Sequence, residues 1–432
     1  MEKQNQERLY EGEENERKQE TTMEKNVQPA CGLRSDCDER AAPTAGDTGA
    51  QPGALVIRSD ELRGVWVSYL DWEQLPAERG SYQLAVDKIL DRCTELKMNA
   101  VFVHVRPDAD AMYPSQYFPW SRFVTGTQGQ DPGYDPLAYF VRAAHERGLQ
   151  FHAWINPFRV TGYHNTWEQV SENSPVKQWL SDGDPSNDRW VLKQNGAYYL
   201  NPAVEEVRAL IVNGVREIVQ KYTVDGIHFD DYFYPDVDDE DSSRWFDKPE
   251  YEASGSTLSI ADWRRENVNK LIRSVYSTVK ETRPSAQFGI SPEGYLAHLR
   301  SDTRLFTDID AWMSEEGYID YIMPQIYWGF EHKTSSGSPA PFAFENNLKS
   351  WLEMKKKGKA KLYLGLAMYK TGSNSSDNNE VPEWLRYDDI MKRQVLAGRA
   401  SGQVSGFCFY AYSSFQEEAC QKEVENLLQV FR

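Results

Sequence analysis

The chain has 432 residues, a formal net charge of −18 and an aromatic content of 13%. The negative charge argues against nucleic acid or an anionic membrane as the main partner, and no lysine- or arginine-rich block offsets it. A chain of this length can form one large α/β domain, and its many aromatic side chains suit either a large core or a cleft that stacks against sugar rings.

Residues 1–55 are charged and then rich in Ala, Pro and Gly, with almost no aliphatic side chains. Such a segment buries too little apolar surface to offset the entropy of ordering, so it is predicted to be a disordered tail. It lacks the apolar core of a signal peptide, and no hydrophobic run precedes Cys31 as in a lipoprotein signal. A cytoplasmic location is therefore expected by default, or the cell envelope or secretion if an export signal is missing from this chain.

Residues 56–432 are predicted to form a single folded domain, because short apolar or alternating runs recur there between longer helical patterns. No run approaches the roughly 20 apolar residues of a membrane-spanning helix, so no transmembrane segment is expected. Eight runs are typical of β-strands, namely Leu62–Tyr69, Ala100–Pro107, Phe151–Phe158, Gly226–Tyr232, Phe288–Gly294, Tyr321–Trp328, Leu362–Tyr369 and Gly406–Ser413.

The segments between these strands have the periodicity of amphipathic helices. The helix predicted at residues 81–97 places five side chains near one face, namely Leu84, Ile89, Leu90, Cys93 and Leu96. A second helix is predicted at 201–222, with Pro202 in its first turn and two glutamates following. A third is predicted at 344–359, where lysines and a glycine mark its end.

Eight strands that alternate with helices, each with a nearly continuous apolar centre, predict a closed (β/α)₈ barrel. No G-x-G-x-x-G follows the first strand and no Walker loop occurs, which argues against a nucleotide-binding fold. The connections after strand three (159–200) and strand four (235–259) are long. Both lie on the face where barrel enzymes build their active sites.

Polar and aromatic residues stand at the carboxyl ends of the predicted strands, where the catalytic groups of a barrel collect. They include Arg106, Asp110, Asn156, Asp230, Asp231, Tyr232, Glu293, Gln325, Tyr327 and Trp328.

Glycoside hydrolysis uses two carboxyl groups that flank the bond, one protonated and one ionised. Asp230 is in phase with His228 along strand four, so its side chain is expected to enter the mouth of the barrel, with Asp231 out of phase as its support. Asp230 is the predicted nucleophile or base, and Glu293 on strand five or Asp110 after strand two is the predicted acid. The structural alternative is that a strand-end aspartate caps the next turn.

Other charged groups have two interpretations. Arg106 can keep a nearby acid ionised or form an internal ion pair that ties loops together. The acidic run 235–241 lacks the glycine and terminal glutamate of an EF-hand, so a solvated loop is expected. His104, His152 and His228 lie low on three strands and are expected to be core residues. The five cysteines have no paired spacing, so no metal, disulfide framework or cofactor is expected.

The chain resembles the glycosyl hydrolase-like 10 family, which are (β/α)₈-barrel proteins of bacterial envelopes. The resemblance lies in ELRGVWVSYLDW, VRPDADAMYPSQY, HAWINPFRV, DGIHFDDYFYP, FGISPEG and GYIDYIMPQIYWGF, spread over residues 61–330. It implies a hydrolase that cuts peptidoglycan glycan strands, and it matches the family's strand-four aspartate to Asp230. Other family elements match Arg106, Asp110, Tyr113, Trp154, Asn156, Gln325 and Tyr327. The family pattern does not fix the residue at Glu293, which raises Asp110 as the acid.

The expected function is therefore hydrolysis of β-linked amino-sugar glycans by a monomer, with an oligosaccharide or polysaccharide as its partner. The expected catalytic residues are Asp230, Glu293 and Asp110. The expected substrate contacts are Arg106, Tyr113, Trp154, Asn156, Asp231, Tyr232, Gln325, Tyr327 and Trp328. Two alternatives stay open: a glycan-binding barrel that has lost catalysis, and a transglycosylase acting on the same glycans.

Overall fold

The structure is a computed structural model that describes residues 60–162, 164–194, 196–235, 245–333, 340–355, 359–372 and 383–431. The tail predicted at 1–55 lies outside the described residues, as do all but the first residue of the acidic run 235–241 and residues 356–358 of the helix predicted at 344–359.

Eight parallel strands close into a barrel in the order β1-β10-β9-β8-β7-β6-β3-β2. They are β1 Leu62–Val67, β2 Ala100–Arg106, β3 Gln150–Ile155, β6 Gly226–Phe229, β7 Gln287–Ile290, β8 Tyr321–Ile322, β9 Lys361–Ala367 and β10 Val404–Tyr410. The predicted (β/α)₈ barrel is confirmed. The connection after β3 carries an antiparallel hairpin of β4 Val191–Gln194 and β5 Ala197–Leu200, which was predicted only as a long loop.

Helices surround the barrel. Those that the structure describes are α1 Tyr69–Trp72, α2 Arg79–Glu95, α3 Arg122–Thr125, α4 Pro136–Glu146, α5 Pro175–Ser181, α6 Glu205–Lys221, α7 Lys248–Ser254, α8 Ile260–Thr282, α9 Leu296–Leu299, α10 Ile309–Ser314, α11 Phe344–Lys355, α12 Glu383–Arg386, α13 Ile390–Ala400 and α14 Gln421–Val430. None of these helices combines the length and the apolar character that a membrane crossing requires.

Two details of the predicted helices were wrong. Leu84 is 73% exposed, because the buried face of α2 carries Tyr82 and Val86 together with the predicted Ile89, Leu90 and Cys93. Pro202 precedes its helix, since α6 begins at Glu205 after the N-cap residue Val204.

The interior of the barrel is filled by large rings set opposite glycines. A Cβ at Gly289 would lie 2.2 Å from the ring of Tyr321, and one at Gly226 would lie 2.3 Å from Nδ1 of His152. Glycine at these positions therefore makes room for the inward-pointing rings of the neighbouring strands.

The inward-pointing polar groups form a hydrogen-bonded row. Trp66 Nε1 donates to His228 Nε2 at 3.2 Å, and His228 Nδ1 lies 3.0 Å from the hydroxyl of Tyr321. That hydroxyl lies 3.2 Å from His152 Nδ1, and His152 Nε2 lies 3.4 Å from Oε1 of Gln150 at the amino-terminal end of β3. Burial lowers the pKa of His152 to about 4 and that of His228 well below its ordinary value, so both histidines are neutral core residues.

Candidate active site

Asp230 directly follows β6, at the carboxyl end of the barrel, and is only 2% exposed. Its Oδ2 accepts hydrogen bonds from Trp154 Nε1 at 3.0 Å and Asn156 Nδ2 at 3.3 Å, and the backbone N–H of Tyr232 donates to Oδ1 at 3.4 Å. Burial raises the pKa of Asp230 to about 6, although the charge of Arg159 and these hydrogen bonds act in the opposite direction. This carboxyl can therefore gain and lose a proton near neutral pH.

Trp154 and Asn156 come from the end of β3 and hold Asp230 in place. The indole of Trp154 is stacked on the ring of His104, with centroids 3.7 Å apart and planes at 7°. Asn156 is fully buried, and its Oδ1 accepts the backbone N–H of Arg159 at 3.0 Å. The structure thus brings these two sequence-predicted residues together with Asp230. Their polar atoms orient its carboxyl.

Asp231 and Tyr232 lie on the outer side of Asp230. Asp231 is partly buried, and its charge acts on the hydroxyls of both Tyr232 and Tyr327, which places it beside the barrel mouth. Tyr232 is 53% exposed, and the guanidinium of Arg159 lies 5.3 Å from the centre of its ring. Tyr232 therefore offers an aromatic face to a ligand at the mouth.

Three partly exposed tyrosines, from the ends of β9 and β10 and from the segment after β8, form what we call the tyrosine wall: Tyr327, Tyr369 and Tyr410. Their ring centroids are 5.9–6.1 Å apart in each pair. Of these three, only Tyr327 was predicted from the sequence to contact the substrate. The position of Tyr410 as the last residue of β10 was the signal that could have identified it.

Gln325 and Trp328 follow β8 with Tyr327. The Gln325 side chain donates to the backbone oxygen of Ser291 at 2.9 Å. Trp328 is partly exposed and packs against Phe342 at 5.4 Å between ring centroids. Gln325 therefore ties the segment after β8 to the end of β7, and part of the Trp328 ring is available for contact with a ligand.

Glu293 follows β7, on the neighbouring strand to Asp230, and forms a backbone bridge with Gln325. Its two carboxylate oxygens face two basic side chains. Oε1 contacts Nδ1 of His298, and Oε2 lies 3.9 Å from Arg304 Nη2. Glu293 is thus a carboxylate with basic partners.

Arg106 and Tyr113 do not lie with Asp230. The pairing of β2 with β3 shifts register between His104 and Arg106, and this bulge breaks the alternation that placed Arg106 at the mouth. Its guanidinium packs on Phe118 at 4.3 Å, and a Cβ at Gly214 of α6 would lie 2.9 Å from its Nη1. Arg106 therefore points outward, into the layer between barrel and helix.

Tyr113 is buried in the same layer, with its ring 5.9 Å from that of Tyr222. Asp110 is fully buried, and its Oδ2 accepts from Gln128 Nε2 at 3.2 Å. Burial, and then the charge of Asp108, raise the pKa of Asp110 to about 7. The hydrogen bond to Gln128 ties Asp110 to the segment that follows α3, and none of its described contacts is with Asp230.

The sequence pattern gave Arg159 no role, although it stands three residues after Asn156. Its Nε donates to the backbone oxygen of Pro107 at 3.0 Å and to Asp108 Oδ1 at 3.2 Å. Its charge is among the influences on Asp230. Within the described part of the chain, no group of three or more His, Cys, Asp or Glu side chains is arranged to hold a metal ion.

A model of the family described as Glycosyl hydrolase-like 10 matches residues 61–385. Glycosyl hydrolase YngK of Bacillus subtilis is 36% identical over 368 residues, covering 80% of this chain and 67% of that protein. Glycosyl hydrolase DigH of Escherichia coli K12 is 33% identical over 407 residues, covering 88% of this chain and 89% of that protein.

Among solved structures, the PgaB (BpsB) glycoside hydrolase domain from Bordetella bronchiseptica matches with a TM-score of 0.55 at 13% identity, covering 85% of this chain and 99% of that domain. A β-galactosidase from the psychrophilic Marinomonas ef1 matches with a TM-score of 0.52 at 11% identity, covering 85% of this chain and 59% of that protein. These structures share the barrel fold with the chain.

Proposed function

The chain belongs to the glycosyl hydrolase-like 10 family, and from this premise we propose that it cuts the glycan strands of peptidoglycan, with Asp230 as its central catalytic group. Hydrolysis of an O-glycosyl bond is the reaction class of its named relatives. The amino-sugar substrate and the roles of individual residues are the proposed part.

The state of Asp230 is the observation that carries the proposal. A general acid works best when its pKa lies near the working pH, because it must hold a proton and also release it. Burial brings the pKa of Asp230 to about 6, and Trp154 and Asn156 fix the direction of its carboxyl. We therefore assign Asp230 the role of proton donor to the glycosidic oxygen.

Glu293 is assigned the second carboxyl, as the ionised member of the pair. Its oxygens contact His298 and approach Arg304, which are partners suited to a carboxylate rather than to a proton donor. This assignment reverses the roles expected from the sequence, where Asp230 was the base or nucleophile and Glu293 or Asp110 the acid. Asp110 is set aside because its carboxyl is tied to Gln128 in the segment after α3 and none of its described contacts is with Asp230.

Aromatic faces at the mouth support a sugar as the ligand. Pyranose rings present C–H faces that pack on aromatic side chains. The tyrosine wall, the exposed ring of Tyr232 and the partly exposed ring of Trp328 supply such faces among the segments that follow the barrel strands. The resemblance to bacterial envelope proteins directs the choice among glycans to peptidoglycan.

The test uses purified protein with two substrates, stem-free peptidoglycan strands and chitin-type oligomers, in water enriched in ¹⁸O, with mass spectrometry of the products. The proposal expects new reducing ends from the peptidoglycan strands, with ¹⁸O incorporated once per cut, and no such products from Asp230→Asn. Asp310→Asn is the matched control, because Asp310 is an exposed aspartate paired with Arg300 on the surface.

Three outcomes would contradict the proposal: intact peptidoglycan strands after long incubation, undiminished cutting by Asp230→Asn, or products longer than the starting strands without ¹⁸O. The last result would indicate transglycosylation. The variants Glu293→Gln and Asp110→Asn decide the second carboxyl, since only loss of activity in Glu293→Gln supports the assignment.

A further inference from the structure

Arg159 is fixed by its backbone on both sides. Its N–H donates to Asn156 Oδ1 at 3.0 Å, and it forms an antiparallel bridge with Tyr199 of β5. The hairpin after β3 thus fixes the backbone of Arg159. The Arg159 side chain extends from the hairpin toward the barrel mouth. Its guanidinium carbon lies 5.6 Å from the centre of the Tyr69 ring and 5.3 Å from the centre of the Tyr232 ring.

Asp108 anchors the inner edge of the guanidinium. The carboxylate is fully buried and takes Arg159 Nε at 3.2 Å, His164 Nε2 at 2.8 Å and Asn165 Nδ2 at 3.3 Å. Burial alone would raise the pKa of Asp108, but His164 and Arg159 together hold it below the ordinary value. Asp108 is therefore ionised and keeps the cation in one place.

Arg159 and Asp230 share two neighbours, Asn156 and Tyr232. Asn156 joins the two residues, since its amide oxygen accepts from Arg159 and its amide nitrogen donates to Asp230. Tyr232 also joins them, through its ring on Arg159 and its backbone N–H on Asp230. Arg159 Nη2 is buried and has no hydrogen-bond partner among the described residues. A buried donor without an acceptor is unfavourable, so this nitrogen is the part of the guanidinium that is still open to an acceptor.

We propose that Arg159 is a positioning residue for the catalytic acid: held by Asp108, it stabilises the carboxylate that Asp230 becomes when it gives its proton to the glycosidic oxygen. The proton passes from the Asp230 carboxyl to the leaving oxygen, and the negative charge left on Asp230 is matched by the guanidinium nearby. This assignment rests on the proposed role of Asp230.

Other charged or titratable groups surround this pair and share in its electrostatics. They are Tyr69 after β1, His104 and Asp108 from β2 and its end, His164 in the connection after β3, His228 in β6, and Asp231 and Tyr232 after it. Burial keeps His104 and His228 uncharged by lowering their pKa well below its ordinary value. Arg159 is thus the permanent cation that acts directly on Asp230.

The experiment is a pH titration of the full-length protein labelled with ¹³C at aspartate carboxyls, followed by NMR. The resonance of Asp230 is identified by its absence from Asp230→Asn. In Arg159→Met the pKa of Asp230 is expected to rise by about one to three pH units, because a neighbouring arginine lowers a carboxyl pKa by that amount. Arg159→Lys keeps the charge and is expected to restore most of the difference. Asp108→Asn removes the negative charge beside Arg159, while its amide oxygen can still accept from the guanidinium, so the pKa of Asp230 is expected to move downward.

Arg300→Met is the matched control, because Arg300 pairs with Asp310 on the surface and should leave the titration of Asp230 unchanged. If Arg159→Met fails to fold, the double variant Arg159→Met with Asp108→Asn removes both charges of the buried pair, and Asp230 should still titrate above its wild-type pKa. An unchanged pKa in the folded Arg159→Met protein overturns the assignment. The titration needs no substrate, so a failure of the proposed function leaves this test intact.

Discussion

Replacing Asp230 with asparagine is expected to stabilise the protein at neutral pH while it abolishes turnover. Burial raises the pKa of Asp230 from 3.8 to about 6, so the folded protein binds a proton between these two values that the unfolded chain does not. The free energy of unfolding therefore falls as pH rises through this window and stays at the lower level above pH 6. Asparagine carries no charge and avoids this loss.

The size of the effect follows from the structure. A difference of about two pKa units corresponds to roughly 3 kcal/mol at 1.36 kcal/mol per unit. The amide oxygen of asparagine can still accept from Trp154 and Asn156, whereas its amide group faces the backbone N–H of Tyr232, which lies 3.4 Å from Asp230 Oδ1. That lost hydrogen bond costs about 1 kcal/mol. The net gain at pH 7.5 is then about 2 kcal/mol.

Urea unfolding of the wild type and the variant at pH 4.5, 6 and 7.5 measures this difference, and Asp310→Asn serves as the surface control. The gain should grow between pH 4.5 and 6 and remain constant above pH 6. A variant that is less stable than the wild type at pH 7.5, or a difference that does not change with pH, would refute the reasoning about burial of Asp230.

Three further outcomes follow from other contacts. Arg106→Met should leave kcat/KM on glycan strands within about threefold of the wild-type value and the urea midpoint unchanged or higher. The reason is that a buried cation in an apolar layer is exchanged for an apolar side chain. A large loss of activity would place Arg106 in the site after all. Asp247→Asn should lower the free energy of unfolding by about 3–5 kcal/mol, because it leaves the buried charge of Arg264 without its partner. Arg264 is fully buried and donates to both Asp247 carboxylate oxygens at 2.6 and 2.8 Å. A loss below about 1 kcal/mol would contradict the importance of this ion pair. Trp154→Phe removes a hydrogen-bond donor to the Asp230 carboxylate, which should raise the pKa of Asp230. The limb of the pH–kcat/KM profile that depends on Asp230 should therefore move to higher pH. A profile that keeps its position would count against a role for that hydrogen bond.

The barrel was predictable because its strands carry an unusually direct signal. Strands buried on both faces are apolar throughout, and all eight predicted strands begin within two residues of the observed ones. The strand ends were harder to place. The sixth strand of the barrel in sequence order, β8, stops at Ile322, well before the predicted Trp328, because Pro324 has no N–H to continue the ladder.

The site was predictable only where strand alternation holds. Trp154 lies at the end of β3, Asn156 and Asp230 directly follow β3 and β6, and the structure brings the three side chains together. The bulge after His104 is invisible in the sequence pattern, and it turns Arg106 out of the barrel. Arg159 lies in an irregular segment, and its place depends on a distant hairpin that no local pattern specifies.

The hydrogen-bonded row inside the barrel has a fixed polarity. Trp66 Nε1 can only donate, so His228 Nε2 must accept and its single proton sits on Nδ1, directed at the Tyr321 hydroxyl. That hydroxyl then donates to His152 Nδ1, whose other nitrogen donates to Gln150. Each neighbour thus fixes the tautomer of the next histidine, and every hydrogen bond in the row is donated in the same direction, from the mouth of the barrel toward its amino-terminal end. Loss of the Tyr321 hydroxyl would leave one ring nitrogen of His228 and one of His152 without this hydrogen-bond partner. The core therefore tolerates a substitution of Tyr321 less than the number of its hydrogen bonds suggests.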